Sequence, residues 1–89
     1  MPTNIISITF EKESMKHSDG HFSIPSNVCN LLELNHDDEI HMIITHPHGG
    51  FLFAGNWQMK SGYEIYGKEF VERIKAGERI RVTVSKPVK

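Results

Sequence analysis

The sequence predicts a mainly β fold with two short helices, a pseudo-twofold β-barrel built from two related strand–helix–strand units. Three observations predict it. Apolar residues alternate with polar ones at period two in several short runs, the mark of half-buried strands. Apolar residues at helical spacing occur in two brief stretches, near Ser26 and near Lys68. The third observation is an internal repeat. His21-Phe22-Ser23-Ile24-Pro25-Ser26, a helix, an acidic turn and Ile40-x-Met42-x-Ile44 parallel Gly62-Tyr63-Glu64-Ile65-Tyr66-Gly67, a helix, the Gly77-Glu78 turn and Ile80-x-Val82-x-Val84. The copies are offset by 41 residues at the start and 40 at the end, which places the units at approximately 21–45 and 62–84. Helices this short do not stand alone in water, so strands must hold them. Two half-units that cover each other's apolar faces form a closed sheet and hide their strand edges.

Each element has its own signal. Ile6, Ile8 and Phe10 alternate with Ser7 and Thr9, a strand over 4–10, and Ser18-Asp19-Gly20 is a turn. Phe22 and Ile24 form a strand stopped by Pro25, which has no N–H for a ladder. Ser26 is placed to cap a helix whose apolar face is Val28, Leu31 and Leu32, with Asn35 as a left-handed stop. Ile40, Met42 and Ile44 make the next strand, and His46-Pro47-His48-Gly49-Gly50 turns the chain. Phe51-Leu52-Phe53-Ala54 begins a buried strand that runs to Trp57, and Ser61-Gly62 is a turn. Tyr63 and Ile65 point one way in a short strand, opposite Glu64 and Tyr66. A helix over 68–75 points Phe70, Val71 and Ile74 inward and ends at Gly77; Ile80, Val82 and Val84 define the last strand, closed by Pro87.

Bulk properties narrow the class. Eighty-nine residues make one domain, 1–89, with no room for a second core. Burial of about 60–65% of the unfolded surface is enough for such a chain to fold without staples. The single cysteine, Cys29, permits no internal disulfide and favours a cytoplasmic home, or a nuclear one in a eukaryote. No apolar run is long enough to span a membrane, and the N-terminus lacks the basic region of a signal peptide. The net charge of −1 conceals an asymmetry. Residues 1–59 carry two lysines against seven carboxylates, a net of −5, whereas residues 60–89 carry eight cations against four glutamates, a net of +4. Only a fold that gathers those cations on one side turns the split into a basic face, because salt screens separated exposed charges.

Catalytic and cofactor motifs are absent or fail on physical grounds. Gly62 to Lys68 spells G-x-x-x-x-G-K, but Glu69 follows where a metal-binding hydroxyl belongs, and Tyr63 and Ile65 read as strand rather than as a phosphate-cradling loop. His41, His46 and His48 cluster in sequence, yet a closed metal site needs four ligands and Cys29 belongs to another element. Cys29 beside Val28 and Leu32 reads as a buried inert thiol, with no base paired to it. The expectation is therefore no catalytic residue, no metal and no cofactor.

Phe22-Ser23-Ile24-Pro25-Ser26-Asn27, the helix through Leu31-Leu32-Glu33-Leu34, and Asp37-Asp38-Glu39-Ile40 resemble the strand–Ile-Pro–helix–turn–strand unit of AbrB/SpoVT-type DNA-binding proteins. Two such units in one chain are similar in plan to DNA-binding pseudobarrels of the auxin-response-factor type and of restriction-enzyme recognition domains. Ile24-Pro25, Trp57, Phe70-Val71 and Gly77-Glu78 fall in that family's order, and the resemblance covers roughly residues 5–86. Asp37-Asp38 and Gly77-Glu78 stand where the family has Gly-Asp, and the first unit lacks the usual basic residues. The resemblance implies a double-stranded DNA partner held by a clamp of two loops. Lys12, Lys16, His17 and Ser18 would form one arm, and Trp57, Gln58 and Lys60 the other, bonding phosphates and base edges. Arg79, Arg81 and Lys86, outward on the last strand, would add sequence-independent phosphate contacts. Trp57 reads equally well as a half-buried core edge, and the lysines as plain solvated surface. A protein-interaction module on the same barrel, with a protein partner or a second copy, is the alternative, supported by the near-neutral charge.

Overall fold

Alternation of apolar and polar residues resolves into six strands and two helices among residues 5–13, 20–60, 63–75 and 77–87, which the structure, a computed structural model, describes. In chain order they are β1 (Ile5–Glu13), β2 (His21–Ser23), α1 (Ser26–Leu31), β3 (Glu39–Thr45), β4 (Phe51–Gln58), β5 (Glu64–Tyr66), α2 (Glu69–Glu72) and β6 (Arg79–Pro87). The molecule is mainly β. A four-stranded antiparallel sheet has the order β1-β6-β3-β4, and β2 pairs antiparallel with β5 in a separate ribbon.

The ladder registers treat the two halves of the chain alike. β3 and β6 are the central pair, and Ile43 lies opposite Thr83, a separation of 40 residues that also relates Ile40, Met42 and Ile44 to Ile80, Val82 and Val84. All six of those apolar residues are fully buried, because they occupy the same face of adjoining strands. β1 pairs with β6 and β4 with β3, so each strand–helix–strand segment is preceded by a strand that joins the other segment's last strand. The repeat thus extends to β1 and β4, whose sequences share no obvious pattern.

Phe22 and Ile65 of the ribbon, Val28, Cys29 and Leu32 around α1, and Phe70 and Ile74 around α2 complete one core with the sheet. The expected single closed sheet is two hydrogen-bonded sheets among the described residues. The ribbon is only three residues long on each side for local reasons. Pro25 terminates β2, and Tyr63, at φ 61°, is a left-handed turn residue rather than the first residue of β5. Tyr63 is accordingly exposed, contrary to the inward position that alternation predicts.

Other departures have simple causes. α1 has six residues, so its buried face is Val28 and Cys29, with Leu32 just beyond, while Leu31 is 67% exposed. Ser26 makes no capping bond; Pro25 is the N-cap residue, and its carbonyl accepts from the N–H groups of Val28 and Cys29. The left-handed stop is Glu33, at φ 54°, while the Asn35 N–H donates to Asp38 Oδ2 at 2.7 Å and tightens the next turn. α2 ends at Glu72, short of 75, which leaves Val71 exposed. β1 runs past Phe10 to Glu13 because β6 continues to pair with it as far as Arg79.

Candidate nucleic-acid interface

The core-facing row of β1 is Ile8, Phe10 and then Lys12, which stands opposite Ile80. Lys12 is therefore a strand residue at the end of the apolar face and not part of a free loop. Its Nζ donates to the Ser23 carbonyl at 3.1 Å and lies 4.5 Å from the centroid of the Phe22 ring. Burial of this ammonium pushes its pKa below the ordinary lysine value. The stem packs on the core while the head finds a carbonyl and an aromatic face, as amphipathic side chains do at such boundaries. Lys16, His17 and Ser18 lie outside the described residues.

Trp57 ends the corresponding row of β4, opposite Ile40. It is half-buried, edge-on to Phe53 at 6.1 Å and tilted against Phe70 at 5.1 Å. Two glycines make room for the indole. A Cβ on Gly55 would come within 3.1 Å of the Trp57 ring, and one on Gly67 within 2.7 Å of its Nε1. Phe70 in turn stacks on Phe22 at 4.6 Å. Successive separations of 4.5, 4.6 and 5.1 Å therefore hold the Lys12 ammonium within about 14 Å of the Trp57 ring, although the two strands lie at opposite edges of the sheet.

Gln58, the last residue of β4, is exposed, and its Nε2 donates to the Asp37 carbonyl at 3.3 Å. Lys60 is exposed and forms an isolated bridge with Glu64, its backbone N–H donating to the Glu64 carbonyl at 2.7 Å. An open depression of about 440 Å³ lies here, lined by Glu39, Asn56, Trp57 and Gln58. Two of these, Glu39 and Asn56, were not singled out from the sequence. The available signal was period two, since Asn56 and Gln58 share the solvent face of β4 and Gln58 pairs with Glu39. Asn56 Oδ1 is 2.8 Å from His41 Nδ1 on β3.

The basic strand is less free than its sequence suggests. Arg79 Nε and Arg81 Nη2 donate to the two oxygens of Glu11 at 3.3 and 3.1 Å. The two guanidinium groups hold the Glu11 carboxyl below its ordinary pKa. Lys86 Nζ donates to the Glu33 carbonyl at 2.6 Å and pairs with Asp38 at 3.2 Å. Arg79 and Arg81 sit beside β1 near the end of the sheet that carries Lys12, away from Gln58 and Lys60.

The histidines are scattered among different partners. His46 stacks on His48 at 5.0 Å and lies 3.3 Å from Glu78, while His21 lies 2.5 Å from Glu64. Among the described residues, no three His, Cys, Asp or Glu side chains come together as metal ligands do. Cys29 is buried, its thiol pKa pushed up by that burial. Among the described residues, no helix is long and apolar enough to cross a membrane. No family model, curated protein or solved structure matches this chain.

Proposed function

We propose that this chain is a double-stranded DNA-binding domain of the pseudobarrel kind, a small regulator or recognition module with no reaction of its own. In this reading the four-stranded sheet and the β2–β5 ribbon are the two walls of the barrel. The observation that carries it is the depression at the end of β4, where Asn56, Trp57 and Gln58 supply two carboxamides and an indole, with Lys60 two residues further along the chain. Carboxamides match the donor–acceptor pattern of adenine in the major groove, and a lysine close by in the chain can neutralise a phosphate. The aromatic stack from Trp57 to Phe22 couples this arm to Lys12 and the start of the other. Glu11 takes up Arg79 and Arg81, so affinity depends on few phosphate contacts and its salt slope is shallow.

A fluorescence titration against a randomised duplex pool at two salt concentrations tests the proposal. Salt-dependent binding with enrichment of particular sequences supports it. One observation favours a protein-interaction module instead: Glu39 lines the same depression and repels phosphate. Absence of both enrichment and salt-dependent binding at low ionic strength decides for that second reading.

A further inference from the structure

The four-stranded sheet has two edges of opposite character. β1, at one edge, carries Glu11, Lys12 and Glu13. β4, at the other, is eight residues long and has no charged residue from Phe51 to Gln58. Among the described residues its ladder partner is β3 alone, and the Lys60–Glu64 bridge lies beyond its end. An edge strand presents unpaired N–H and C=O groups, and charges, lysine above all, are the usual device that keeps a second strand away. Charge is present on β1 and missing on β4, whose ladder has one irregularity, at Leu52 near its start, and runs regularly from Phe53 to Gln58.

We propose that β4 is a self-association edge, pairing antiparallel with β4 of a second copy to continue the sheet across a twofold axis. The occupant follows from charge. In a twofold antiparallel pair each residue near the axis meets its own copy or a close neighbour, so any charge there would face a like charge. β4 meets that requirement at every position, and its centre is small, with Ala54 exposed and Gly55 beside it. Phe51, 68% exposed at the start of the strand, adds apolar surface for the partner to cover. The sheet supplies an internal control. Thr9, Thr83, Ile43 and Ala54 form one row across its four strands, so Thr9 is the counterpart of Ala54 on the charged edge. This inference does not rest on the DNA-binding reading, although Asn56, Trp57 and Gln58 belong to the same strand.

The test is sedimentation equilibrium of the full chain from micromolar to millimolar concentration, for the wild type and for Ala54→Lys, Ala54→Glu and Thr9→Lys. A concentration-dependent dimer is expected for the wild type and for Thr9→Lys. Ala54→Lys and Ala54→Glu should each weaken it by about tenfold or more through like-charge opposition across the axis. An equimolar mixture of the two should associate again, which separates lost pairing from misfolding. A wild type that stays monomeric to about 1 mM, or single variants that dimerise as well as the wild type, overturns the proposal.

Discussion

Gly20 and Gly77 adopt nearly the same left-handed backbone, φ 79° and 81°, in very different surroundings. A Cβ on Gly77 would meet nothing within 4 Å, whereas one on Gly20 would lie 2.5 Å from the carbonyl oxygen of Gly67. That carbonyl cannot swing away cheaply, because it accepts from the Phe70 N–H at 3.1 Å, and the Gly67 N–H donates to the Gly20 carbonyl at 3.0 Å where the chain enters β2 beside the exit of β5. The backbone term is common to both alanine variants, about 1–2 kcal/mol against a left-handed alanine, offset by about 0.4–1 kcal/mol from the stiffer unfolded chain. Gly77→Ala should therefore cost about 1 kcal/mol. Gly20→Ala must in addition part the two strands and strand a buried backbone pair, a further cost of about 1–3 kcal/mol. Urea unfolding should show a difference of about 2 kcal/mol between the variants, or roughly 10 °C in Tm for a chain of this length. Equal destabilisation within about 0.5 kcal/mol would refute the claim that the ribbon crossing is a close, hydrogen-bonded contact.

Charge and packing variants probe the two arms. Glu11→Gln should remove stability that is present above the ordinary carboxylate pKa of 4.5 and lost as pH falls through the lowered folded value, so the two proteins should converge in acid unfolding curves. The same change frees Arg79 and Arg81, and should strengthen DNA binding while steepening the salt slope by about 0.9 for each new phosphate contact. Lys12 has a depressed pKa, so the wild type should gain stability over Lys12→Met as pH rises from that value toward 10.5, as measured by parallel urea titrations. Trp57→Ala, half-buried against Phe53 and Phe70, should cost about 2 kcal/mol and weaken DNA binding, whereas Gln58→Ala should leave stability within about 0.5 kcal/mol and relax preference at one base step.

Strands and helices were legible where one face of an element decides its fate. Ile40, Met42 and Ile44, and Ile80, Val82 and Val84, alternate cleanly and are buried as alternation requires. The pattern misleads where geometry beyond the element intervenes. Leu31 and Val71 are apolar and exposed because helices of six and four residues turn too little chain to bury a wide face. The continuation of β1 to Glu13 could not be read from Glu11-Lys12-Glu13, since its cause is the length of β6. The neutralisation of Arg79 and Arg81 depends on a register that brings residues 68 and 70 positions apart into contact, which no local pattern encodes. The cluster of Trp57, Gln58 and Lys60 was legible as one segment, whereas Glu39 and Asn56 joined it through the β3–β4 pairing and strand alternation.

Backbone and indole NMR of the labelled protein, titrated with a duplex enriched from the randomised pool, tests the central claim most directly. DNA binding through the proposed clamp predicts saturable shifts at Trp57 Nε1–H and at the amides of Asn56, Gln58 and Lys60, joined by Lys12, all weakened by added salt. Saturable shifts confined to Thr9, Thr83 and Ile43 in the middle of the sheet's solvent face, or no shifts at low ionic strength, would contradict it.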